Sequence, residues 1–430
     1  MNRIYTFFAL FCILLLSCNT LDNNNNIEGT YSGVFKHESF QIDVRIDLES
    51  DSLGYNVFFT SLEQNALRIP TKNVSVINDS LKFTLQSDFY TYVFNSKYDA
   101  SFNTLQGVLT IDSKDYPYSL DKVDSKNQIK TKDISFESNG NTLSGTIWLP
   151  NTSNGKGLFF VTSSGMNDRS SSRAEVQYFS KKGFTVYHYD KRGTGKSTGS
   201  MDNVSIEDLA KDDITAIQQF SKATKIPLEQ ISIIGSSQGG AKIPLILNIL
   251  TNLQSGISIS TPGCSLLESD LNFMMNTLKN QIKKDDLTAA TLVQTAVFEY
   301  LGGGLSKVKL EIILKENKNK EFYQYLWIPE LAEDVQVCLS YSSIPYFEKL
   351  LHPILIIQGT ADIVIPKDSY VKIEEALNKA GNTKSKLIVL ENANHSMTVE
   401  NVSDFPYWSM LHPNYFNTIE EWLNTISNKK

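Results

Sequence analysis

Three things are scarce in this 430-residue chain: it has four cysteines, five histidines and no excess of positive charge. A formal net charge of −7, with acids and bases interspersed, argues against nucleic-acid binding, which would need a basic face. Only Cys264 and Cys338 lie beyond the first 18 residues, and no cluster of histidines accompanies them. Two cysteines alone do not make a zinc site, so we expect neither a metal nor an organic cofactor.

The first 26 residues carry a pattern for export rather than for folding. Arg3 precedes an apolar run over 4–16 that is too short to span a bilayer, and the run ends in Leu15-Leu16-Ser17-Cys18. This pattern predicts a bacterial lipoprotein signal peptide over 1–18 with Cys18 as the lipidated residue; an ordinary secretory signal with an incidental cysteine is the alternative. The Asn-rich segment 19–26 would be a flexible tether. We therefore expect an exported protein that a lipid anchors to a membrane, in the bacterial periplasm or outer membrane.

Export leaves two states open for the remaining cysteine pair. Cys264 and Cys338 could form a disulfide in an oxidising compartment, or they could be two buried thiols.

The rest of the chain, about 400 residues, is too long for one typical hydrophobic core, and it divides into two regions with different patterns of apolar and polar residues. Residues 27–125 show alternating apolar and polar positions, as over 40–48, which predicts a small antiparallel barrel or sandwich. Residues 126–430 alternate strand-like and helical segments, which predicts a mostly parallel sheet with helices on both faces. Strands are predicted at 134–137, 144–149, 157–162, 185–189, 231–235, 256–260, 354–359 and 386–390, and helices at 173–182, 206–223, 238–250, 368–380 and 414–426.

Between about 264 and 350 the alternation stops and the segment is helical, apolar and aromatic. We interpret it as an insertion that caps one end of the sheet and expect it to wall a substrate pocket. The β-rich domain would be a spacer, or an accessory module that binds substrate or covers the active site.

The most informative motif is Gly235-Ser236-Ser237-Gln238-Gly239-Gly240. It follows the apolar run 231–234 and precedes a helical pattern, which predicts a strand, a sharp turn and a helix with Ser237 at the apex. This is the G-x-S-x-G nucleophile elbow. The following helix would direct its free N–H groups and positive dipole end at whatever Ser237 attacks.

A serine nucleophile needs a base within hydrogen-bond reach and an acid that orients the base. Asp362 and His395 each come just after a predicted strand, at the sheet edge where functional groups gather. The four other histidines lie in the β-rich domain, inside a strand, at a strand start or before the last helix, so only His395 is placed to reach Ser237. The alternative acid is Glu268 or Asp270, which follow an earlier strand.

Residues 130–430 resemble the α/β-hydrolase superfamily, specifically serine esterases of the bacterial lipoprotein type. The resemblance rests on the elbow, the loop Asp190-Lys191-Arg192-Gly193-Thr194-Gly195-Lys196-Ser197, the turn Gly359-Thr360-Ala361-Asp362 and the pair Asn394-His395. It implies an α/β-hydrolase fold, a mostly parallel sheet with a helical cap insertion, here preceded by a small all-β domain. It also implies Ser237 as nucleophile, His395 as base and Asp362 as acid.

Acyl transfer also requires an oxyanion hole. One donor would be the backbone N–H of Gln238, and the other an N–H of the loop 162–169, in which Ser163 stands where the family usually has glycine. Gly165 and Met166 are the candidates, and we expect Met166. The charged pairs Asp190 with Arg192 and Asp168 with Arg169 are interpreted as structural supports of neighbouring loops, with substrate binding as the alternative.

The sequence thus predicts a serine hydrolase that cleaves a small-molecule or carbohydrate-linked carboxylic ester through an acyl-enzyme. A peptidase or thioesterase of the same fold is the first alternative, although the chain has no β-propeller repeat of the kind that large prolyl peptidases carry. A non-catalytic surface-binding lipoprotein is the second.

Overall fold

The computed structural model describes residues 27–37, 40–86, 91–124, 129–331, 337–399 and 410–427. The predicted signal peptide, Cys18 and the tether lie outside these residues. Within the described ranges, no helix has the length and apolar character needed to cross a membrane.

The first sheet consists of nine antiparallel strands. They are β1 (Gly29–His37), β2 (Phe40–Asp51), β3 (Gly54–Ser61), β4 (Ala66–Pro70), β5 (Lys72–Ile77), β6 (Ser80–Gln86), β7 (Thr91–Asp99), β8 (Thr104–Ile111) and β9 (Lys114–Val123). Their order is β4-β3-β2-β1-β9-β8-β7-β6-β5, so every neighbour is a hairpin partner except the pair β1 and β9.

This sheet curves back on itself. Its end strands follow each other in the chain, β3 contacts β5, and the Thr71 N–H donates to the Val57 carbonyl at 3.0 Å. The alternation expected over 40–48 is present, because Ile42, Val44, Ile46 and Leu48 are all buried. They face a core in which the Phe83 and Phe94 rings stack at 4.4 Å. The first domain is therefore an all-β unit with its own core.

The second sheet has eight strands: β10 (Lys130–Ser138), β11 (Asn141–Leu149), β12 (Gly157–Phe160), β13 (Thr185–Asp190), β14 (Ile231–Ser236), β15 (Ser255–Ile259), β16 (Ile354–Gly359) and β17 (Ser385–Leu390). They lie in the order β10-β11-β13-β12-β14-β15-β16-β17. Only the pairs β10–β11 and β11–β13 are antiparallel. Because β12 to β17 are mutually parallel, the loops after their carboxyl ends gather along one edge.

Nine helices are described: α1 (Arg173–Lys181), α2 (Ile206–Thr224), α3 (Gln238–Ile249), α4 (Leu266–Leu278), α5 (Leu287–Leu301), α6 (Lys307–Asn317), α7 (Ile344–Phe347), α8 (Ser369–Lys379) and α9 (Tyr415–Ser427). All eight predicted strands and all five predicted helices are confirmed. The helix ends agree within one residue, whereas β10 and β11 begin earlier than predicted because they pair as a long hairpin.

Helices α4 to α7 form the insertion between β15 and β16. The apolar side chains of α4, α5 and α6 make a separate core, with Val297, Phe298, Leu310 and Phe322 among its buried members, whereas Phe347 of α7 packs into the core of the second sheet. Cys264 and Cys338 are both free thiols and form no disulfide; Cys264 is buried, as the second alternative expected of both, whereas Cys338 is half-buried. Burial raises the pKa of the Cys264 thiol to about 12, so it behaves as a small apolar side chain.

One turn of the β-rich domain reaches the second domain. This is the 3₁₀ turn Leu62–Gln64, which lies between β3 and β4. The turn contacts α1 and the short strand β19 (Met410–Leu411), and β19 pairs with β18 (Thr398–Val399). Met410 also packs against the core of the β-rich domain. The two domains are therefore in contact on the side where α1 and β19 lie.

Candidate active site

Ser237 lies on a strained turn between β14 and α3. Its backbone has φ 54° and ψ −124°, a conformation that non-glycine residues adopt only when their surroundings enforce it. The flanking glycines permit the tight packing. A Cβ on Gly235 would come within 2.7 Å of the Gly239 backbone, and one on Gly240 within 2.0 Å of the Thr261 hydroxyl. The structure therefore forms the sharp turn that the motif predicts.

Asp362 lies in the turn after β16 and is buried. Its Oδ1 accepts hydrogen bonds from the N–H groups of Val364 at 2.8 Å and Ile365 at 3.2 Å. Its Oδ2 accepts one from the Gln358 amide at 3.2 Å. These three hydrogen bonds hold the carboxylate in one orientation.

His395 follows β17 and completes a pair with this carboxylate. Its Nδ1 lies 2.9 Å from the Asp362 Oδ2, and its backbone carbonyl accepts a hydrogen bond from the Ser260 hydroxyl at 2.8 Å. Asn394 steadies the same loop by accepting from the N–H groups of Ser396 and Thr398, each at 3.0 Å. With Nδ1 bonded to Asp362, Nε2 is the nitrogen that can exchange a proton with a nucleophile.

Ser237 and His395 line one cavity of about 330 Å³, a volume that suits a small-molecule ligand. Asp362 is absent from the lining because it lies buried behind His395. Of the alternative acids, Glu268 is engaged in the capping box of α4, where its carboxylate accepts from the Ser265 N–H at 2.8 Å, and Asp270 lies on the same helix. The described structure pairs His395 with Asp362 and with neither of these.

The loop after β12 forms another side of the cavity. The Ser163 hydroxyl donates to the Ser236 carbonyl at 2.9 Å, which ties this loop to the elbow, and Ser163 and Ser164 both line the cavity. Gln238 begins α3 directly after Ser237, as an oxyanion donor should. Neither Gln238 nor Met166 is among the residues that line the cavity, and Met166 is 65% exposed. That their backbone N–H groups serve as oxyanion donors stays a prediction.

A fully buried ion pair supports this loop. Lys242 on α3 donates to the Asp213 carboxylate on α2, and both side chains have no solvent exposure. Lys242 also donates to the Thr162 hydroxyl at 2.8 Å, while Asp213 accepts from the Thr162 N–H at 3.2 Å and from the Tyr189 hydroxyl at 2.8 Å. The backbone entering the loop is thus held by charged groups in the interior.

The charged residues around 168–192 mainly support loops. Asp190 accepts from the backbone N–H groups of Arg169 at 2.9 Å and Lys196 at 2.8 Å, and Arg192 pairs with Asp212 at 2.7 Å. Asp168 accepts from the Ser170 N–H at 2.7 Å. The supporting role expected of these residues is present, but the partners differ from those expected: Arg192 pairs with Asp212, and Arg169 pairs with Asp190 at 3.2 Å. Asp168 and Arg169 also line the cavity.

The cavity residues that the sequence did not single out include His188, Glu175, Asn65 and Tyr415. His188 lies in β13, where the Trp148 indole N–H donates to its Nε2 at 3.0 Å and its Nδ1 lies 3.1 Å from the Ser172 hydroxyl. Because the lone pair of Nε2 accepts this bond, His188 is not available as the base. The sequence signal was its position near the carboxyl end of a strand.

Glu175 on α1 is a half-buried acid that accepts a hydrogen bond from the Tyr415 hydroxyl at 2.5 Å. Burial raises its pKa to about 7, and the hydrogen bond from Tyr415 lowers it in part. Asn65 comes from the β-rich domain. Neither Glu175 nor Asn65 follows a strand of the second sheet, whereas the site residues predicted from the sequence were all sought directly after such strands.

Comparison with known families agrees with this architecture. A family model described as the alpha/beta hydrolase fold matches residues 161–402, more than half of the chain. The chain therefore belongs to the alpha/beta hydrolase fold family, with an all-β domain ahead of it.

No curated protein matches the chain. Among solved structures, the esterase Pf2001 of Pyrococcus furiosus is 16% identical with a TM-score of 0.47, over 69% of this chain and 91% of that one. The proline iminopeptidase of Mycobacterium smegmatis is 15% identical with a TM-score of 0.44, over 69% and 98%. A meta-cleavage product hydrolase of Pseudomonas fluorescens is 16% identical with a TM-score of 0.42, over 68% and 97%. Likeness at this level assigns no reaction.

Proposed function

We propose that the protein is a serine hydrolase that cleaves carboxylic esters through an acyl-enzyme. The observation that carries the proposal is the convergence of a strained Ser237 and a His395 already bonded to buried Asp362 on one cavity. Each member alone has ordinary structural explanations. Their joint presence at one edge of the sheet, after β14, β16 and β17, matches what nucleophilic acyl transfer requires.

The residues would act in sequence. His395 Nε2 takes the proton of the Ser237 hydroxyl as Oγ attacks the ester carbonyl, and Asp362 stabilises the resulting imidazolium. The imidazolium then protonates the leaving alcohol, so the acyl group remains on Ser237. Water, activated by the same imidazole, releases the acid and restores the enzyme.

Charge on the carbonyl oxygen needs two preorganised donors. The Gln238 N–H, at the start of α3, remains our first donor. For the second we propose the Ser164 N–H in place of Met166, because Ser164 lines the cavity and lies next to the residue that bonds the elbow. Proline at position 164 removes that N–H, and the loss of one such donor costs about 10²- to 10³-fold in kcat. Met166→Pro should lower kcat far less than Ser164→Pro. If Met166→Pro lowers kcat more, the Met166 N–H is the second donor.

The direct test compares Ser237→Ala with Ser236→Ala on short nitrophenyl esters. Losing the nucleophile of such a triad costs on the order of 10⁶ in kcat, whereas the neighbouring serine hydroxyl should be dispensable. The ester assignment fails if wild type and Ser237→Ala are equally inactive on every ester. Equal activity of the two would show that another residue is the nucleophile.

The same apparatus serves peptidases and thioesterases, so the assay includes amino-acid nitroanilides and acyl thioesters. Faster Ser237-dependent cleavage of either would reassign the bond. Inactivity on all three, with folded protein, would favour the non-catalytic surface-binding alternative.

We also propose that the protein acts as a lipid-anchored lipoprotein, on the basis of the pattern that ends at Cys18. Fractionation of cells that express Cys18→Ser tests this, because the variant should leave the membrane fraction. Unchanged membrane association would contradict lipidation at Cys18.

A further inference from the structure

The catalytic cavity has one wall that the hydrolase domain does not supply. Asn65, at the end of the 3₁₀ turn in the β-rich domain, lines the same cavity as Ser237 and His395. No residue of the insertion α4 to α7 lines it within the described chain. The β-rich domain is therefore part of the candidate active site.

The turn holds Asn65 in place from several sides. Asn65 adopts φ 51° and its N–H donates to the Leu62 carbonyl at 3.0 Å, while its own side chain is exposed. Gln64 beside it is buried, and Glu63 accepts a hydrogen bond from the Asp43 N–H at 3.2 Å. The backbone is thus anchored to the β-rich domain, and the carboxamide remains available to a ligand.

Two further polar groups of the cavity belong to elements beside this turn. Glu175 lies on α1, which contacts the turn, and Tyr415 begins α9 four residues after β19, which also contacts it. Among the described residues, Tyr415 is the hydrogen-bond partner of the Glu175 carboxyl, through Oε1. An amide, a carboxyl and a phenol together offer both donors and acceptors, which is what a ligand with several hydroxyl groups requires.

We propose that Asn65, Glu175 and Tyr415 form a polar subsite that binds hydroxyl groups of the substrate beside the scissile ester. The substrate class is an ester of a polyhydroxylated alcohol, such as an acylated sugar. Asn65 is then a specificity-determining residue donated by the β-rich domain. This inference rests on the proposed ester hydrolysis, and it assigns the β-rich domain a role in substrate selection.

A second cavity, between the domains, supports no separate ligand. It contains Arg45, Arg68 and Arg169, which would suit an anion. However, these guanidinium groups already pair with Asp47, Glu49 and Asp190. A neutral ligand in the catalytic cavity is the better supported inference.

The test uses three acetate esters: nitrophenyl acetate, cyclohexyl acetate and a mono-acetylated methyl glucoside. The last two share a six-membered ring and differ in hydroxyl groups. Asn65→Gly removes the amide and keeps a residue that accepts positive φ. Losing one or two hydrogen bonds should lower the ratio of kcat/KM for the glucoside ester to that for cyclohexyl acetate about threefold to tenfold, mostly through KM.

Asn78→Gly is the matched control. Asn78 has φ 54° in the turn between β5 and β6, is exposed and is not part of the cavity lining, so its replacement should leave the ratio unchanged. An unchanged ratio in Asn65→Gly, with normal cleavage of nitrophenyl acetate, would overturn the subsite while the ester hydrolase stands.

A binding measurement separates failure of the subsite from failure of the catalytic proposal. Saturation-transfer NMR with methyl glucoside on Ser237→Ala should detect contact, and adding Asn65→Gly should reduce it. No contact, or equal contact, would overturn the subsite even if no ester is cleaved. If Asn65→Gly and Glu175→Gln instead impair an alanine nitrophenyl ester more than the glucoside ester, the ligand group is an amine and the hydroxyl assignment is wrong.

Discussion

The β-rich domain and the helical insertion differ sharply in what they contribute to the cavity of Ser237 and His395. The insertion contains many apolar and aromatic residues and was expected to form a wall of the pocket. However, its Phe298 and Tyr300 pack into the insertion's own core. The β-rich domain showed no catalytic motif, yet it supplies Asn65. Apolar residues at helical spacing indicate packing. A single exposed asparagine at positive φ, by contrast, lies where the β-rich domain meets the cavity.

The largest effect should come from the acid, because Asp362 lies in the hydrolase sheet region outside the insertion, whereas the alternative Glu268 lies within the insertion. Asp362→Asn leaves His395 without its orienting charge and should lower kcat on nitrophenyl acetate about 10⁴-fold. Glu268→Gln, in the insertion, keeps a capping residue on α4 and should change kcat little. If Glu268→Gln is the slower variant, the insertion contributes the acid after all.

The next effect concerns the buried pair that supports the loop after β12. Lys242→Met leaves the Asp213 charge buried without its ion-pair partner and should cost about 3–5 kcal/mol in the free energy of unfolding. Lys196→Met removes an exposed pair with Asp133 and should cost less than about 1 kcal/mol. Urea unfolding of the two variants measures the difference. Similar small losses would mean that this cavity wall does not depend on the interior pair.

A pH effect should follow from Glu175, the acid beside the turn of the β-rich domain. Burial raises the pKa of the Glu175 carboxyl from its ordinary value of 4.5 to about 7, so the folded state binds the proton more tightly than the unfolded state does. Its contribution to stability is therefore present below about pH 4.5 and is lost as the pH rises through 7. Wild type should lose a few degrees of Tm more than Glu175→Gln between pH 5 and pH 8. Parallel pH profiles would argue against a raised pKa.

The smallest effect should come from the exposed aromatic side chains of the insertion. Phe273 and Trp327 are each 43% exposed, and neither lines the cavity. Phe273→Ala and Trp327→Ala should change kcat/KM for nitrophenyl acetate less than twofold. A larger loss of kcat/KM in either variant, with unchanged Tm, would show that the insertion does contribute to the active site, contrary to the difference drawn between the two regions.

The sequence predicted the second sheet and its helices well because hydrophobic period and turn residues are local signals. Asp362 and His395 could be selected because each follows a strand of a parallel sheet, which makes their proximity a consequence of topology. Asn65, Glu175 and Tyr415 carried no such signal. Their proximity depends on how one domain packs on the other, and no pattern within either segment encodes that packing. Met166 was chosen from its position in the loop, and because loop position does not determine which N–H groups face a cavity, its role as a donor stays a prediction.

The turn that carries Asn65 also bears on ancestry. The segment that matches the family, 161–402, contains Ser237, Asp362, His395 and also Glu175 of the proposed subsite, but neither Asn65 nor Tyr415. Part of the ligand preference would then be encoded outside the stretch of the gene that encodes the reaction chemistry. Recombination that replaced the leading domain could redirect such a hydrolase to new compounds in one step, while every catalytic codon stayed as it was.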